Sequence, residues 1–311
     1  MNTSNIPLSR KQLTTEIRSM AEEKNAVILV HNYQLDEVQS IADFLGDSLE
    51  LSRKAAETDA EIIVFCGVHF MAETASILSP EKTVLLPVAD AGCPMADMIT
   101  PEQLIEARIK HPDAVVVTYI NSSAATKAFS DYCCTSANAQ KITDSLPEGQ
   151  KIIFTPDMNL GAWVTRKRSG HDILWPGYCP VHHRLEPWEI LEKKKQFPNA
   201  QVMIHPEAPL DVLKLADVVE STGGMVKYVR NLPEGSQIIV GTESGMINRL
   251  RKERPDIIYI SASPDTVCSN MKKTRLSHVH DALKFNQHVI TVDEKTAVKA
   301  KKAILKMLEV V

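Results

Sequence analysis

The chain has 311 residues, about two average domains by length, and it is 44% apolar and 24% charged with a formal net charge of −4. That balance supports a sizeable packed core and lacks the basic excess of a nucleic-acid-binding surface. No apolar run approaches the roughly 18 residues that span a bilayer, and residues 1–13 lack the apolar core of a secretory signal. We therefore expect a cytoplasmic protein with no nucleic-acid or membrane partner.

Short β-branched runs alternate with longer amphipathic stretches, which is typical of parallel sheets covered by helices. Helices are predicted over residues 10–24, from the capping signals at 100–103 and 186–187, and over residues 296–308. Strands are predicted at residues 27–30, 62–65, 84–86, 115–119, 152–154, 201–204, 238–240, 257–260 and 289–292. Neither GxGxxG nor GxxxxGK[ST] occurs, so the sequence does not favour a dinucleotide or ATP site.

The sequence contains an internal repeat of about 87 residues. An aspartate preceded by a small residue recurs at Asp43, Asp131 and Asp217, at spacings of 88 and 86 residues. Leu-Pro-Glu-Gly follows fifteen residues after the second and third of these aspartates. Each unit is predicted to run helix, strand, helix, strand, helix, strand. The aspartates are interpreted as structural residues whose side chains hold turn backbone by hydrogen bonds.

The repeat predicts both the fold class and the domain organisation. We expect an α/β protein of three homologous, three-layer αβα domains, with parallel sheets arranged around a pseudo-threefold axis. The first unit is predicted to span residues 1–98 and to be completed by the C-terminal segment 273–311. The second is predicted to span residues 99–185 and the third residues 186–272.

Equivalent polar residues follow the strands or begin helices in the three repeats. Counted from the aspartates, they lie twelve residues before (His31, Tyr119, His205), ten before (Tyr33, Asn121, Glu207) and five after (Ser48, Ser136, Thr222, with Ser221 adjacent). Parallel strands present functional residues at their carboxyl ends, so these side chains are expected to converge on one cavity. Hydroxyls at helix N-termini predict an anionic substrate with carboxylates or a phosphate, although ordinary N-capping is the simpler explanation of any single one.

Three of the six cysteines also occupy equivalent places. Cys93, Cys179 and Cys268 lie 50, 48 and 51 residues after their aspartates. Three thiolates from distant segments, with no CxxC pair, suit a [4Fe-4S] cluster whose fourth iron has no protein ligand and can act as a Lewis acid. A zinc site and a metal-free arrangement remain alternatives at this point. The other cysteines are interpreted as small apolar residues: Cys66, Cys133 and Cys134.

Segments between about residues 30 and 270 resemble the quinolinate synthase family. They include VHNYQ, GDSLEL, FCGVHFMAETASIL, LLPVADAGCPMADM, YINSSAATKA, TPDMNLGAWV, LWPGYCPVH, HPEAP, STGGM and GTESGMINRL, in that order. The resemblance implies three similar αβα domains and an oxygen-sensitive [4Fe-4S] cluster. It implies a condensing and dehydrating transferase of NAD biosynthesis, which joins iminoaspartate to dihydroxyacetone phosphate and releases phosphate and water to form quinolinate. It also implies an L-aspartate-oxidising enzyme as the supplier of iminoaspartate.

The resemblance assigns roles to residues at matching positions. The implied cluster ligands are Cys93, Cys179 and Cys268. The residues implied to bind substrate carboxylates or phosphate are His31, Ser48, Asn121, Ser136, His205, Ser221 and Thr222, and the implied acid and base groups are Tyr33, Tyr119 and Glu207. Some members carry CxxC at the third ligand, but here Ser269, Asn270 and Met271 follow Cys268, so a dithiol switch at that pair is not available.

Two other functions are alternatives. An iron–sulfur hydro-lyase would use the same open iron to expel hydroxide from a hydroxy acid, and it would release no phosphate. An iron–sulfur or redox sensor would need a reactive thiol, and Cys133 and Cys134 form the one adjacent cysteine pair in the sequence.

Overall fold

The computed structural model describes residues 8–169 and 171–310, and within these ranges it contains three four-stranded parallel sheets. The strand order is the same in each sheet: second, first, third, fourth. Helices lie between successive strands, because parallel neighbours need a crossover connection. The predicted fold class, three αβα units with parallel sheets, is confirmed.

The first unit is built from four strands and four helices. Its strands are β1 (Ala26–His31), β2 (Phe44–Gly46), β3 (Ile62–Cys66) and β4 (Thr83–Leu85). Its helices are α1 (Arg10–Glu23), α2 (Asp36–Gln39), α3 (Ser48–Glu57) and α4 (His69–Leu78), and a 3₁₀ helix follows at Ala96–Met98.

The second and third units repeat this plan. The second contains α5 (Pro101–Lys110), β5 (Val115–Tyr119), α6 (Ala124–Lys127), β6 (Tyr132–Cys134), α7 (Ala139–Ser145), β7 (Ile152–Thr155), α8 (Met158–Thr165), β8 (Ile173–Leu174) and α9 (Pro180–His183). The third contains α10 (Pro187–Gln196), β9 (Gln201–Ile204), α11 (Leu210–Leu213), β10 (Val218–Val219), α12 (Thr222–Arg230), β11 (Gln237–Gly241), α13 (Gly245–Glu253) and β12 (Ile258–Ser261).

Two helices complete the chain, α14 (Leu276–Phe285) and α15 (Glu294–Glu309). Helix α14 packs against α1, where the Lys24 ammonium donates to the Leu283 carbonyl at 2.5 Å. Helix α15 touches both the first and the second unit: Arg53 donates to the Leu308 carbonyl at 3.2 Å and Asn138 to the Met307 carbonyl at 2.8 Å. The C-terminal segment thus contacts more than the first unit, and the domain boundaries drawn from the repeat stay a prediction.

The outer strands β2, β6, β8 and β10 were not predicted, so the first and third units each have one strand more than the predicted strands and the second has two more. They are two or three residues long, too short to show a periodic pattern, and pairing with a central strand defines them. The strand predicted at residues 289–292 is wrong. Val289 forms only an isolated antiparallel bridge with Leu85, because His288 before it has a positive φ of 61° and Asp293 after it caps α15.

The same aspartate in each unit joins the start of its second strand to the central strand. In all three units its Oδ2 accepts a backbone N–H at 2.8 Å, from Ile28 to Asp43, Val116 to Asp131 and Val202 to Asp217. Each carboxylate also pairs with a basic side chain from the helix that precedes the central strand of its unit: Arg18 of α1, Arg108 of α5 and Lys194 of α10. The aspartates are structural as expected, but they hold strand backbone rather than a turn.

The Leu-Pro-Glu-Gly turns also have matching geometry. Gly149 and Gly235 both have a φ of 76°, in the left-handed region where a side chain would be strained. Each turn leads into the third strand of its unit, so the repeated sequence corresponds to a repeated structure. Among the described residues, no helix combines the length and apolarity that crossing a membrane needs.

The Asp131→Ala variant should lower the free energy of unfolding by about 1–3 kcal/mol, because the buried N–H of Val116 loses its acceptor. Urea unfolding followed by circular dichroism measures the change. Asp59→Ala, at an exposed aspartate, is the control and should stay within about 0.5 kcal/mol of the parent chain. Equal losses in the two variants would contradict the structural role of Asp131.

Candidate active site

One cavity of about 150 Å³ is lined by residues from all three units. Its walls are formed where the central strands β1, β5 and β9 end and where the third strands lead into helices. In each sheet the strand order reverses between the first and third strands, and ligand crevices form at such points outside the carboxyl ends. The common cavity follows from this shared topology.

Twelve of the thirteen residues predicted for the site line this cavity: His31, Tyr33, Ser48, Cys93, Tyr119, Asn121, Ser136, Cys179, His205, Glu207, Thr222 and Cys268. Ser221 does not. Its hydroxyl accepts the backbone N–H of Gly224 at 3.1 Å and caps α12, and the residue lines a neighbouring pocket. The structure therefore brings the candidates together, and their individual roles stay predictions.

The hydroxyls predicted at helix starts differ among the units. Ser48 and Thr222 are the first residues of α3 and α12, with Asp47 and Ser221 as the caps. Ser136 lies three residues before α7, because Asn138 Oδ1 accepts the backbone N–H of Thr135 at 2.9 Å and closes a turn there. The Ser136 hydroxyl instead lies 3.2 Å from His205 Nε2.

The three equivalent cysteines share a local environment. Each thiol faces backbone N–H groups two or three residues further along the chain, at Met95 and Ala96, at His182, and at Asn270 and Met271. Burial raises the pKa of all three thiols, that of Cys93 to about 12, and these N–H groups oppose the rise. A negative charge on Cys268 would raise the pKa of Cys93, and a negative charge on Cys93 would raise the pKa of Cys179. Cys93 therefore lies within electrostatic range of both other thiols.

Glu207 is the centre of a buried acid–base cluster. Its Oε1 accepts the Tyr119 hydroxyl, and its Oε2 lies 2.8 Å from His182 Nδ1. Burial alone would raise the pKa of Glu207, but the electrostatic effect of His182 and the hydrogen bonds from His182 and Tyr119 hold that pKa below the ordinary value. Glu207 is therefore a carboxylate.

A hydroxyl and an imidazole connect this cluster to Tyr33. The Thr242 hydroxyl lies 2.8 Å from the Tyr33 hydroxyl and 2.9 Å from His182 Nε2. Burial raises the pKa of Tyr33 well above its ordinary value, and the nearby Glu207 charge raises it further. Tyr33 therefore stays protonated and able to donate.

The two histidines at equivalent strand ends are neutral. Burial lowers the pKa of both His31 and His205 to about 3. The His205 ring stacks on that of His182 with centroids 4.7 Å apart, and the His31 ring meets the Tyr33 ring edge-on at the same distance. Neutral imidazoles can donate from one nitrogen and accept at the other.

His182 and Thr242 are functional candidates that sequence reasoning missed. The positions equivalent to His182, three residues after each cysteine, hold Ala96 and Met271. The repeat therefore gave no reason to select His182 or Thr242. The available signal was the short spacing between Cys179 and His182, which places both beside the first turn of α9.

One group of described residues could hold a single metal ion. Ligand atoms of Cys179, His182 and Glu207 all lie within 4.8 Å of one another. His182 Nδ1 is 3.2 Å from the Cys179 sulfur as well as 2.8 Å from Glu207. These sulfur, nitrogen and oxygen donors are types that transition metals accept.

Comparison with known proteins identifies the family. The family model described as NadA: Quinolinate synthetase A protein matches residues 15–309. The chain belongs to the quinolinate synthase family. It is 53% identical to the quinolinate synthase of Dehalococcoides mccartyi (strain CBDB1) over 302 residues, which are 97% of this chain and 99% of that protein. The resemblance drawn from the sequence is confirmed.

Two further quinolinate synthases have similar coverage. That of Geotalea uraniireducens is 52% identical over 96% of this chain and 98% of its own length, and that of Methanoregula boonei is 51% identical over 95% and 97%. A solved UDP-GlcNAc 2-epimerase from Neisseria meningitidis, covering 88% of this chain and 72% of that chain, gives a TM-score of 0.17 at 11% identity and has no bearing on the function. The family assignment rests on near full-length sequence similarity.

The Ser221→Ala variant should lower the free energy of unfolding by about 1 kcal/mol, because the Gly224 N–H loses its cap. Chemical denaturation measures this loss. Ser19→Ala, at an exposed position inside α1, is the matched control and should not be destabilised. An unchanged stability of Ser221→Ala would argue against the capping role.

Proposed function

We propose that this protein is a quinolinate synthase that condenses iminoaspartate with dihydroxyacetone phosphate, releasing phosphate and water, in NAD biosynthesis. The observation that supports this most strongly is the convergence of three equivalent cysteines and several anion-binding side chains on one cavity, in a chain of this family. An L-aspartate-oxidising enzyme would supply the iminoaspartate. We place the protein in the reducing cytoplasm, because all six cysteines are free and an iron–sulfur cluster is oxygen-sensitive.

The donor set fits a [4Fe-4S] cluster held by Cys93, Cys179 and Cys268. Iron in such clusters binds cysteine sulfur, and hydrogen bonds to the sulfurs tune it. The backbone N–H groups that face each thiol supply such bonds. When bound, the cluster supplies an iron without a protein ligand, which acts as a Lewis acid on a substrate oxygen or nitrogen.

A single metal ion at Cys179, His182 and Glu207 is the second candidate, favoured by the 4.8 Å grouping of their ligand atoms. It uses only one of three equivalent cysteines. It would also displace the 2.8 Å contact between His182 and Glu207. Metal and sulfide analysis of the protein distinguishes the two candidates. Iron with an equal amount of sulfide would support the cluster, whereas zinc, or iron without sulfide, would support the single-ion site.

The chain's own polar groups would bind the two anionic substrates. Ser48 and Thr222 are the first residues of α3 and α12, so their hydroxyls can donate to a carboxylate or phosphate beside the positive end of each helix dipole. The next N–H groups of both helices already donate to Asp47 and Ser221. Asn121 lines the cavity with a buried Oδ1 that has no hydrogen-bond partner among the described residues. A buried acceptor of this kind would be satisfied by an O–H or N–H of the substrate. The neutral His31 and His205 can donate to the same anions.

Glu207 and the two tyrosines would move protons during tautomerisation and dehydration. Glu207 is ionised and can accept a proton, whereas burial keeps Tyr33 and Tyr119 protonated and able to donate. Tyr119 already donates to Glu207. A proton taken by Glu207 can therefore be shared within one hydrogen-bonded cluster.

The Cys93→Ser variant should lose the cluster and the activity together, because a hydroxyl is a poor substitute for a thiolate ligand. Anaerobic iron and sulfide analysis and a phosphate-release assay measure the two losses. Cys66→Ala, in the core of the first unit, should keep both. A full cluster with normal turnover in Cys93→Ser would refute the ligand assignment.

Substrate-dependent phosphate release by the parent chain also separates a quinolinate synthase from a hydro-lyase.

The Glu207→Gln variant should retain iron and sulfide but lower kcat by about 100-fold or more, since an amide cannot accept the proton. Steady-state kinetics on the reconstituted enzyme provide the measurement. Glu57→Gln, at an exposed position in α3, is the control and should leave kcat unchanged. A normal rate in Glu207→Gln would remove this residue from the catalytic assignment.

A further inference from the structure

A buried ion pair lies behind the third cysteine. Glu243, just after β11, has no exposed side-chain surface, and Lys272 is mostly covered. The Lys272 ammonium is 2.8 Å from Glu243 Oε1 and 2.9 Å from Oε2. None of the acid–base steps proposed for the site uses either side chain.

The Glu243 carboxylate also binds backbone on both sides. Oε1 accepts the N–H of Cys268 at 3.1 Å, and Oε2 accepts the N–H of Gly245 at 2.7 Å. Both oxygens therefore have a backbone partner in addition to the ammonium. One of those partners is the cysteine itself.

Lys272 extends the contact to the first unit. Its ammonium donates to the Tyr33 backbone carbonyl at 2.5 Å. The space around this contact is closed, because a Cβ on Gly245 would lie 2.7 Å from both the Lys272 Nζ and the Tyr33 carbonyl oxygen. The ion pair thus joins the Cys268 loop, the start of α13 and the Tyr33 backbone.

The other two cysteine loops share some of these supports. The 3₁₀ helix at Ala96–Met98 follows Cys93, and α9 begins directly after Cys179. Turns follow Cys268 before α14. In all three loops the cysteine carbonyl accepts the backbone N–H four residues on, at 3.3 Å for Cys93, 2.9 Å for Cys179 and 3.1 Å for Cys268. The positions equivalent to Glu243 hold His69 and Asp157. The Asp157 carboxylate caps α8 and faces the backbone N–H of Cys179, but it forms no ion pair among the described residues. The third loop therefore shares a backbone turn with the other two, and it differs from them in the Glu243–Lys272 ion pair.

We propose that Glu243 and Lys272 are positioning residues that fix the Cys268 loop and couple it to the backbone of Tyr33. The ion pair adds a side-chain anchor to the single backbone turn that follows Cys268. With it, the third thiol is set in place before metal binds. This inference rests on the proposed function only in taking Cys268 as a cluster ligand.

Thiol alkylation of the folded, full-length, metal-free chain tests the proposal. Each cysteine's reaction with iodoacetamide is followed by peptide mass spectrometry, and the rate for Cys268 is expressed relative to Cys93 and Cys179. Lys272→Met should raise this ratio about tenfold, because the loop loses its cation and leaves Glu243 unpaired. Lys273→Met, which removes an adjacent ammonium that pairs with exposed Asp90, should leave the ratio unchanged.

A general loss of stability would accelerate all three cysteines together, whereas loss of the ion pair should affect Cys268 alone. If Lys272→Met does not fold, Glu243→Gln provides the same test, because glutamine keeps the shape of the glutamate side chain and removes its charge. An unchanged ratio in the variant that folds would overturn the proposal.

Cluster content separates this inference from the proposed function. After anaerobic reconstitution, Lys272→Met should lose iron and sulfide about tenfold faster than the parent, as expected when a residue supporting a metal ligand is removed. A parent chain that takes up no cluster would defeat the proposed function, and the alkylation ratio would still decide the role of the ion pair. A normal cluster lifetime in Lys272→Met would count against the ion pair alone.

Discussion

The positions of the cavity side chains depend on where three central strands end. The central strand of each unit is held near its start by one aspartate, whose Oδ2 accepts a strand N–H at 2.8 Å in every copy. Since the strands are parallel and the sheet order is constant, their carboxyl ends present equivalent residues to one place. Three copies of a small unit, none of which encloses a site by itself, thereby build a shared cavity.

That cavity places an ionised acid, Glu207, beside neutral imidazoles and protonated tyrosines. Glu207 stays a carboxylate because His182 and Tyr119 donate to it, while burial keeps His31 and His205 uncharged and Tyr33 protonated. The three thiols lie in the same cavity with raised pKa values, so metal binding must replace their protons. The proposed substrates, which carry carboxylates and a phosphate, would bring negative charge that the helix N-termini and neutral donors can accommodate.

Much of this organisation could be predicted from the sequence, because the repeat marks equivalent positions independently of any single motif. The fold class follows from spacing and resemblance, and so do the thirteen predicted site residues, twelve of which line the cavity. Ser221 and Thr222 are adjacent hydroxyls, and spacing alone could not tell which one caps α12 and which one lines the cavity. The false strand at 289–292 has a strongly β-forming composition, but its local backbone allows only one bridge.

The features that the sequence did not reveal are those that differ between the copies. His182 and Lys272 have no chemical counterpart at the equivalent positions of the other units, and Glu243 has one only in Asp157, so a search for residues repeated three times passes over them. The outer strands were not predicted for another reason. A strand of two residues, such as β8, can be recognised only from its pairing with β7. Symmetry thus predicts the framework, and the departures from symmetry lie in the second and third units.

The most direct test of this account is anomalous diffraction at the iron edge from crystals of the anaerobically reconstituted chain. We expect one compact iron site in the cavity, with Cys93, Cys179 and Cys268 all at bonding distance and no fourth protein ligand. Metal bound by Cys179, His182 and Glu207 alone, or thiols too far apart to share one cluster, would contradict it.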